Sequence, residues 1–282
     1  MNFKKIEPSN MKKILFATDF SDAANNAAEY AVDMAETLHA DLFILHAVAI
    51  PANASEITVV IDPEEIIRSA EKNMLALKNE LTNRSNNRVN IEYAVEEKLL
   101  FPFLKDSCAE IKPYMVIIGT QGKTKAERLL LGSHAAYILQ HLPWPVIGVP
   151  PLAKFSPIKK IGLACDFENV VDLVPINEIR RLLDDLNAEL HIINIDKSDK
   201  HSPELVFESG MMQEMFAGTK PDYHFIVGED TDQGILEFAK IQHFDLLVVL
   251  PRQHNLLYRI SHKSHTKQFA LHSHVPVLAL HA

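Results

Sequence analysis

Apolar positions along the first half of the chain follow two alternating patterns. Short Val/Ile/Leu-rich runs at 12–18, 41–48, 88–95, 114–119 and 145–149 are apolar on successive residues, as expected of parallel strands covered by helices on both faces. Between them lie longer segments with helical spacing. In 22–39, Ala27, Tyr30, Ala31, Met34 and Leu38 share one face while Glu29 and Asp33 fall opposite, with Ser21 or Asp22 as the N-cap. Further helices are predicted over 63–83, 99–110 and 132–141. Five strands alternating with four helices predict a doubly wound α/β domain, a mostly parallel sheet with helices on both faces. Ligands of such sheets bind at the carboxyl ends of the strands, where the strand order switches.

The pattern then repeats. Lys12-Lys13-Ile14-Leu15-Phe16-Ala17-Thr18-Asp19-Phe20 is matched by Lys159-Lys160-Ile161-Gly162-Leu163-Ala164-Cys165-Asp166-Phe167, with Asp166 following Asp19 by 147 positions. Ala40-Asp41-Leu42-Phe43-Ile44-Leu45-His46 is matched by Ala188-Glu189-Leu190-His191-Ile192-Ile193-Asn194, 148 positions on. Pro145-Val146-Ile147-Gly148-Val149 returns as Pro276-Val277-Leu278-Ala279-Leu280, only 131 positions on, so the second copy has lost about 17 residues of helix or loop in its middle. A duplication is the simplest account. Its seam falls near Pro150-Pro151-Leu152-Ala153-Lys154, dividing the chain into residues 1–152 and 153–282, two tandem Rossmann-like domains.

Composition narrows the class. With 47% hydrophobic and 23% charged residues, the 282-residue chain suits two ordinary globular domains. No apolar run approaches the ~20 residues of a membrane span, and the N-terminus lacks a signal-peptide pattern, so cytoplasmic residence is expected. Two cysteines, Cys108 and Cys165, without a CxxC argue against disulfide or thiolate frameworks. Cys165, beside Asp166, reads as a buried structural thiol or, alternatively, as a redox sensor. The 28 Lys and Arg against 37 Asp and Glu leave a net charge of −9, which disfavours a nucleic-acid binder.

The fourth strand of the first copy runs into Gly119-Thr120-Gln121-Gly122-Lys123, and Gly132-Ser133-His134 closes the segment, giving G-x2-G-x9-G-Ser. Gly119 and Gly122 permit tight turning and close approach to an anion. Gly132 and Ser133 open a helix whose N–H groups favour negative charge. A Walker A reading fails because Ile117 occupies the position of its first glycine. Turns and a helix cap alone would also account for the glycines.

This loop, together with Ile14-Leu15-Phe16-Ala17-Thr18-Asp19 and Leu45-His46-Ala47-Val48, resembles the universal stress protein family, in two tandem copies covering nearly the whole chain. The resemblance implies ATP, with Mg²⁺ accompanying it. It implies that Asp19 holds the ribose or a phosphate-bound cation and that Ala17, Thr18 and Val48 line the adenine pocket. Gly119, Gly122, Gly132, Ser133 and His134 would contact phosphates and ribose. A helix cap is the competing role for Asp19. The family's single-domain members pair through their last strand, so the resemblance also implies an internal pseudo-dimer and leaves room for a homodimer of tandem chains.

The second copy departs from the motif. Leu250, Gln253 and Lys263 stand where Gly119, Gly122 and Gly132 stand in the first, and Pro251 removes a backbone donor. Arg252, Arg259, His262, Lys263, His265 and Lys267 offer charge alone for an anion. Seven of the 14 histidines lie at or after His243. Of these, His262, His265, His272 and His274 could form a zinc or nickel site or be scattered surface residues, and no metal ligand is assigned. No nucleophile with an oriented base is evident, so no catalytic residue is assigned. The expectation is a stress-response protein binding ATP in its first domain, with a regulatory or protective role. The alternative is a non-nucleotide interaction module assembling through its last edge strands.

Overall fold

Period-two alternation decides which way each strand residue points. Ile14, Phe16, Ile147, Val149, Ile161, Leu163, Leu278 and Leu280 enter one buried layer, while Leu15, Ala17, Val146, Val277 and Ala279 enter the layer on the opposite face. Strands apolar on both faces are thereby covered on both. The computed structural model describes residues 11–48, 63–121, 134–196, 203–251 and 265–281. In the first copy these form β1 (Lys13–Ala17), α1 (Asp22–Thr37), β2 (Asp41–Ala47), α2 (Pro63–Arg84), β3 (Ile91–Glu96), α3 (Leu100–Ile111), β4 (Met115–Gly119), helical residues 134–141 (α4) and β5 (Val146–Val149). The second copy holds β6 (Lys160–Ala164), α5 (Val170–Leu173), α6 (Ile176–Leu186), β7 (Glu189–Asp196), α7 (Pro203–Met215), β8 (Asp222–Val227), α8 (Thr231–Ile241), β9 (Leu246–Val249), α9 (His265–His272) and β10 (Val277–Ala279).

The predicted elements of the first copy are present with small boundary shifts. The third strand starts at Ile91 instead of 88, because Asn86 and Asn87 take positive φ (49° and 59°) to leave α2 and Val89 is buried before pairing begins. The residues missing from the second copy come from two neighbouring places. α7 has 13 residues against 22 in α2, and the connection before it spans 197–202 against 48–62.

The strands lie in the order β3-β2-β1-β4-β5-β10-β9-β6-β7-β8 within one ten-stranded sheet. All neighbours are parallel except β5 and β10, which pair antiparallel through Val277↔Gly148, Leu278↔Ile147 and Ala279↔Val146. The last strand of each half thus covers the other's edge. Contacts away from the sheet tie the halves together. Asn26 Nδ2 on α1 donates to the carbonyl of Ala153 (2.8 Å) and, within its own half, to that of Pro150 (3.2 Å), and Tyr30 meets Phe155 edge-on at 5.2 Å. On α6, Asp185 pairs with Lys12 at 2.5 Å and Arg181 stacks over the Tyr114 ring at 4.2 Å. Within each half the chain winds outward in both directions from its first strand. In the first copy the crevice between β1 and β4 is the switch point.

Candidate functional site

The chain leaves β1 into a tightly bonded loop. The Thr18 N–H donates to the Leu45 carbonyl (2.9 Å), Thr18 Oγ1 accepts from the Phe20 N–H (3.0 Å), and Asp19 Oδ1 accepts from the Ser21 N–H (2.9 Å). Ser21 then caps α1, its Oγ accepting from the Ala24 N–H at 3.1 Å. The capping role that competed for Asp19 therefore belongs to Ser21. Asp19 forms the turn before it and, as a carboxylate with several lone-pair sites, keeps acceptor capacity beyond that one bond.

This loop borders a cleft at the carboxyl ends of β1 and β4. Its lining is Ala17, Thr18, Asp19, Ala24, Ala47, Leu100, Ile118, Gly119, Gln121, His134, Ala135 and Ile138, and it holds about 580 Å³ of space including the open mouth. The floor is apolar, and the polar groups converge from the β1–α1 loop, the end of β4 and the start of α4. α1 also presents its N-terminal end here, which favours negative charge.

Of the residues singled out from sequence, Ala17, Thr18, Asp19, Gly119 and His134 lie in this one cleft. Val48 is buried beside it, its N–H held by the Glu96 carbonyl at 2.8 Å, and Ala47 is the lining residue at that end of β2. Gly122, Gly132 and Ser133 lie outside the described residues. Gly119 has a reason of its own. A Cβ on it would stand 3.1 Å from the Ala23 carbonyl oxygen and 3.3 Å from its carbon, so its small size lets α1 close onto β4. Sequence reasoning missed Ala24, Leu100, Ala135 and Ile138. They are apolar residues on helices, indistinguishable by pattern from core, and only the packing of α1, α3 and α4 around one crevice sets them apart.

The second copy keeps the loop and alters its surroundings. Asp166 Oδ1 accepts from the Glu168 N–H (3.1 Å), the Phe167 N–H points at Cys165 Sγ (3.4 Å), and Phe20 and Phe167 share left-handed backbone (φ 57° and 55°). The counterpart of α1, however, is broken into α5 and α6 at Val174-Pro175, and half-buried Leu250 packs on the core where Gly119 admits α1. Cys165 is buried, as is Cys108, whose thiol is pushed up to about 12 by burial.

The histidine cluster imagined at the C-terminal end does not assemble among the described residues. No group of three or more His, Cys, Asp or Glu there could hold a metal ion. His265 instead pairs with Asp232 at 2.5 Å, and His262 lies outside the described residues, as do Arg252, Arg259 and Lys263.

The sequence model of the universal stress protein family matches residues 10–150 and again 159–281. The chain belongs to the universal stress protein family. A universal stress protein of Synechocystis sp. is 23% identical over 290 residues, spanning 95% of this chain and 99% of that protein. One from Methanocaldococcus jannaschii is 28% identical over 144 residues, 49% of this chain and 81% of that one. A crystal structure of a universal stress protein from Archaeoglobus fulgidus superposes with a TM-score of 0.68 at 17% identity, covering 95% of this chain and 96% of that chain. Two family domains in one chain, in a stress-response family, are therefore established. Among the described residues no helix is long and apolar enough to cross a membrane.

Proposed function

We propose that the first domain of this universal stress protein, residues 1–152, binds ATP with Mg²⁺ in the β1/β4 cleft, and that residues 153–282 form a modified partner domain without an equivalent site. The observation that carries this is convergence. Ala17, Thr18, Asp19, Gly119 and His134, drawn from three separated segments, meet at the switch point in a cleft with an apolar floor. Such a floor suits a flat base, and Asp19 suits ribose hydroxyls or a cation. Gly122, Gly132 and Ser133 complete the set from sequence as phosphate contacts. ATP supplies a polyanion whose charge Mg²⁺ partly neutralises. The protein's own contribution is positioning, through the Asp19 turn and the helix end.

The bound state acts through shape or association in a cytoplasmic stress response, without committed catalysis. No nucleophile with an oriented base lines the described cleft. We read the β5–β10 pairing as an internal pseudo-dimer, so the strands that would serve an interaction module are already engaged with each other, which weakens assembly through those edges as the main function. The test is nucleotide detection in protein denatured after purification, with ATP titrations of wild type, Gly122→Val and Gly132→Val. Bound adenine nucleotide and affinity lost in both variants support the proposal. Wild type without affinity at millimolar ATP, or variants that bind equally well, overturns it.

A further inference from the structure

We propose that His46 is the positioning residue for Asp19 in the first-copy cleft; its effect on affinity rests on reading that cleft as a nucleotide site. His46 holds the residues on either side of Asp19. Its Nδ1 lies 2.8 Å from the Thr18 carbonyl oxygen, which can only accept, so Nδ1 carries the hydrogen and donates. Its ring lies 4.4 Å, centroid to centroid, from that of Phe20. Phe20 is left-handed at φ 57°, a conformation that a non-glycine residue keeps only where its surroundings hold it.

The second copy solves the same problem with different side chains. Asn194, 148 positions after His46, donates from Nδ2 to the Cys165 carbonyl at 3.0 Å. Two chemically distinct residues thus donate to the carbonyl that precedes the Asp, so the bond belongs to the loop's geometry and is not an accident of histidine. The ring contact has moved to the neighbouring strand. Phe167, left-handed like Phe20, stacks on Phe225 at 5.6 Å. Phe225 pairs with Asn194 across β7 and β8, as Val95 pairs with His46 across β2 and β3. Each copy therefore pairs one amide-like or imidazole donor with a ring contact: His46 supplies both beside Val95, whereas in the second copy Asn194 donates and Phe225, with Tyr223 farther off at 6.4 Å, supplies the ring contact to Phe167.

The experiment transplants one solution into the other. His46→Phe keeps a ring and removes the donor. His46→Asn keeps the donor and removes the ring, and His46→Asn with Val95→Phe installs the second copy's arrangement. Two readouts are taken on the full chain after thermal melting has shown that each variant folds: amide hydrogen exchange of Phe20 and Ser21 without nucleotide, and ATP titration. His46→Phe is expected to speed exchange at both amides and to weaken ATP by about threefold to tenfold, the range of one hydrogen bond. His46→Asn should lie between it and wild type, and the double variant should return toward wild type in both. Unchanged exchange in His46→Phe, or a double variant no better than His46→Phe, overturns the proposal. If wild type binds no ATP, the nucleotide reading falls alone, because the exchange measurement still decides whether His46 holds the Asp19 turn.

Discussion

Replacing Gly119 by Ala adds one methyl group at the point where α1 meets β4, and the added Cβ has little room. It would stand 3.1 Å from the Ala23 oxygen, 3.3 Å from the Ala23 carbon and 3.4 Å from the Ala24 nitrogen. All three are backbone atoms of the first turn of α1, so no side-chain rotation relieves the contact. Helix and strand must separate by a few tenths of an ångström, and the fully buried Ala27, Ala28 and Ala31 behind them leave no slack. Overpacking of this kind costs about 1–3 kcal/mol. Removing a glycine from a strand returns roughly 0.5–1 kcal/mol, so a net loss of about 1–2 kcal/mol is expected. Urea denaturation followed by circular dichroism reads it as a lower midpoint with an unchanged slope. ATP affinity should fall as well, because Ala24 and Gly119 both line the cleft. Leu250→Gly in the second copy should also destabilise, since that leucine packs on the core beside an already broken helix. A Gly119→Ala protein as stable as wild type would refute the close-approach argument.

Two further perturbations address the join between the halves and the response to acid. Burial raises the Asp185 pKa, but the hydrogen bonds from Lys12 and Tyr114 and the charges of Lys12 and Arg181 outweigh it and hold it below its ordinary 3.8. Its contribution is therefore present above pH 3.8 and lost as the pH falls below that. Asp185→Asn should destabilise by about 1 kcal/mol at pH 7, and urea midpoints of the two proteins should converge in strong acid. For His191, burial first, then the neighbouring His224 and Lys160, lower the pKa below 6.5, against the raising influence of Asp222 and Glu189. The unfolded chain then binds the proton more readily, so stability is full above pH 6.5 and declines as the pH falls below it. His191→Leu should shrink that decline, and an unaltered pH profile between 7 and 5 would count against the assignment.

Much of the fold was legible because local chemistry and global packing agree. Runs such as Ile14 to Ala17 are apolar on both faces and can be satisfied only inside a covered parallel sheet. The repeat of Asp19-Phe20 as Asp166-Phe167 announced two copies before any geometry was known. The polar and glycine members of the cleft, Asp19, Gly119 and His134, were singled out from the sequence by the glycine spacing and the family resemblance, since Asp and Gly at strand and helix ends are otherwise ordinary turn and cap residues. The cleft's apolar floor was not, because Leu100 or Ile138 carries no mark separating a cleft from a core.

By itself, then, the amino-acid order determined the elements, their duplication and the loss of the glycine loop from the second copy. Tertiary structure decided two things that depend on distance between segments. Gly119 proved to be needed by α1. β5 and β10 closed on each other into one ten-stranded sheet. Each is a matter of which backbone approaches which, and side-chain periodicity encodes the direction a residue faces but not what stands a few ångströms away.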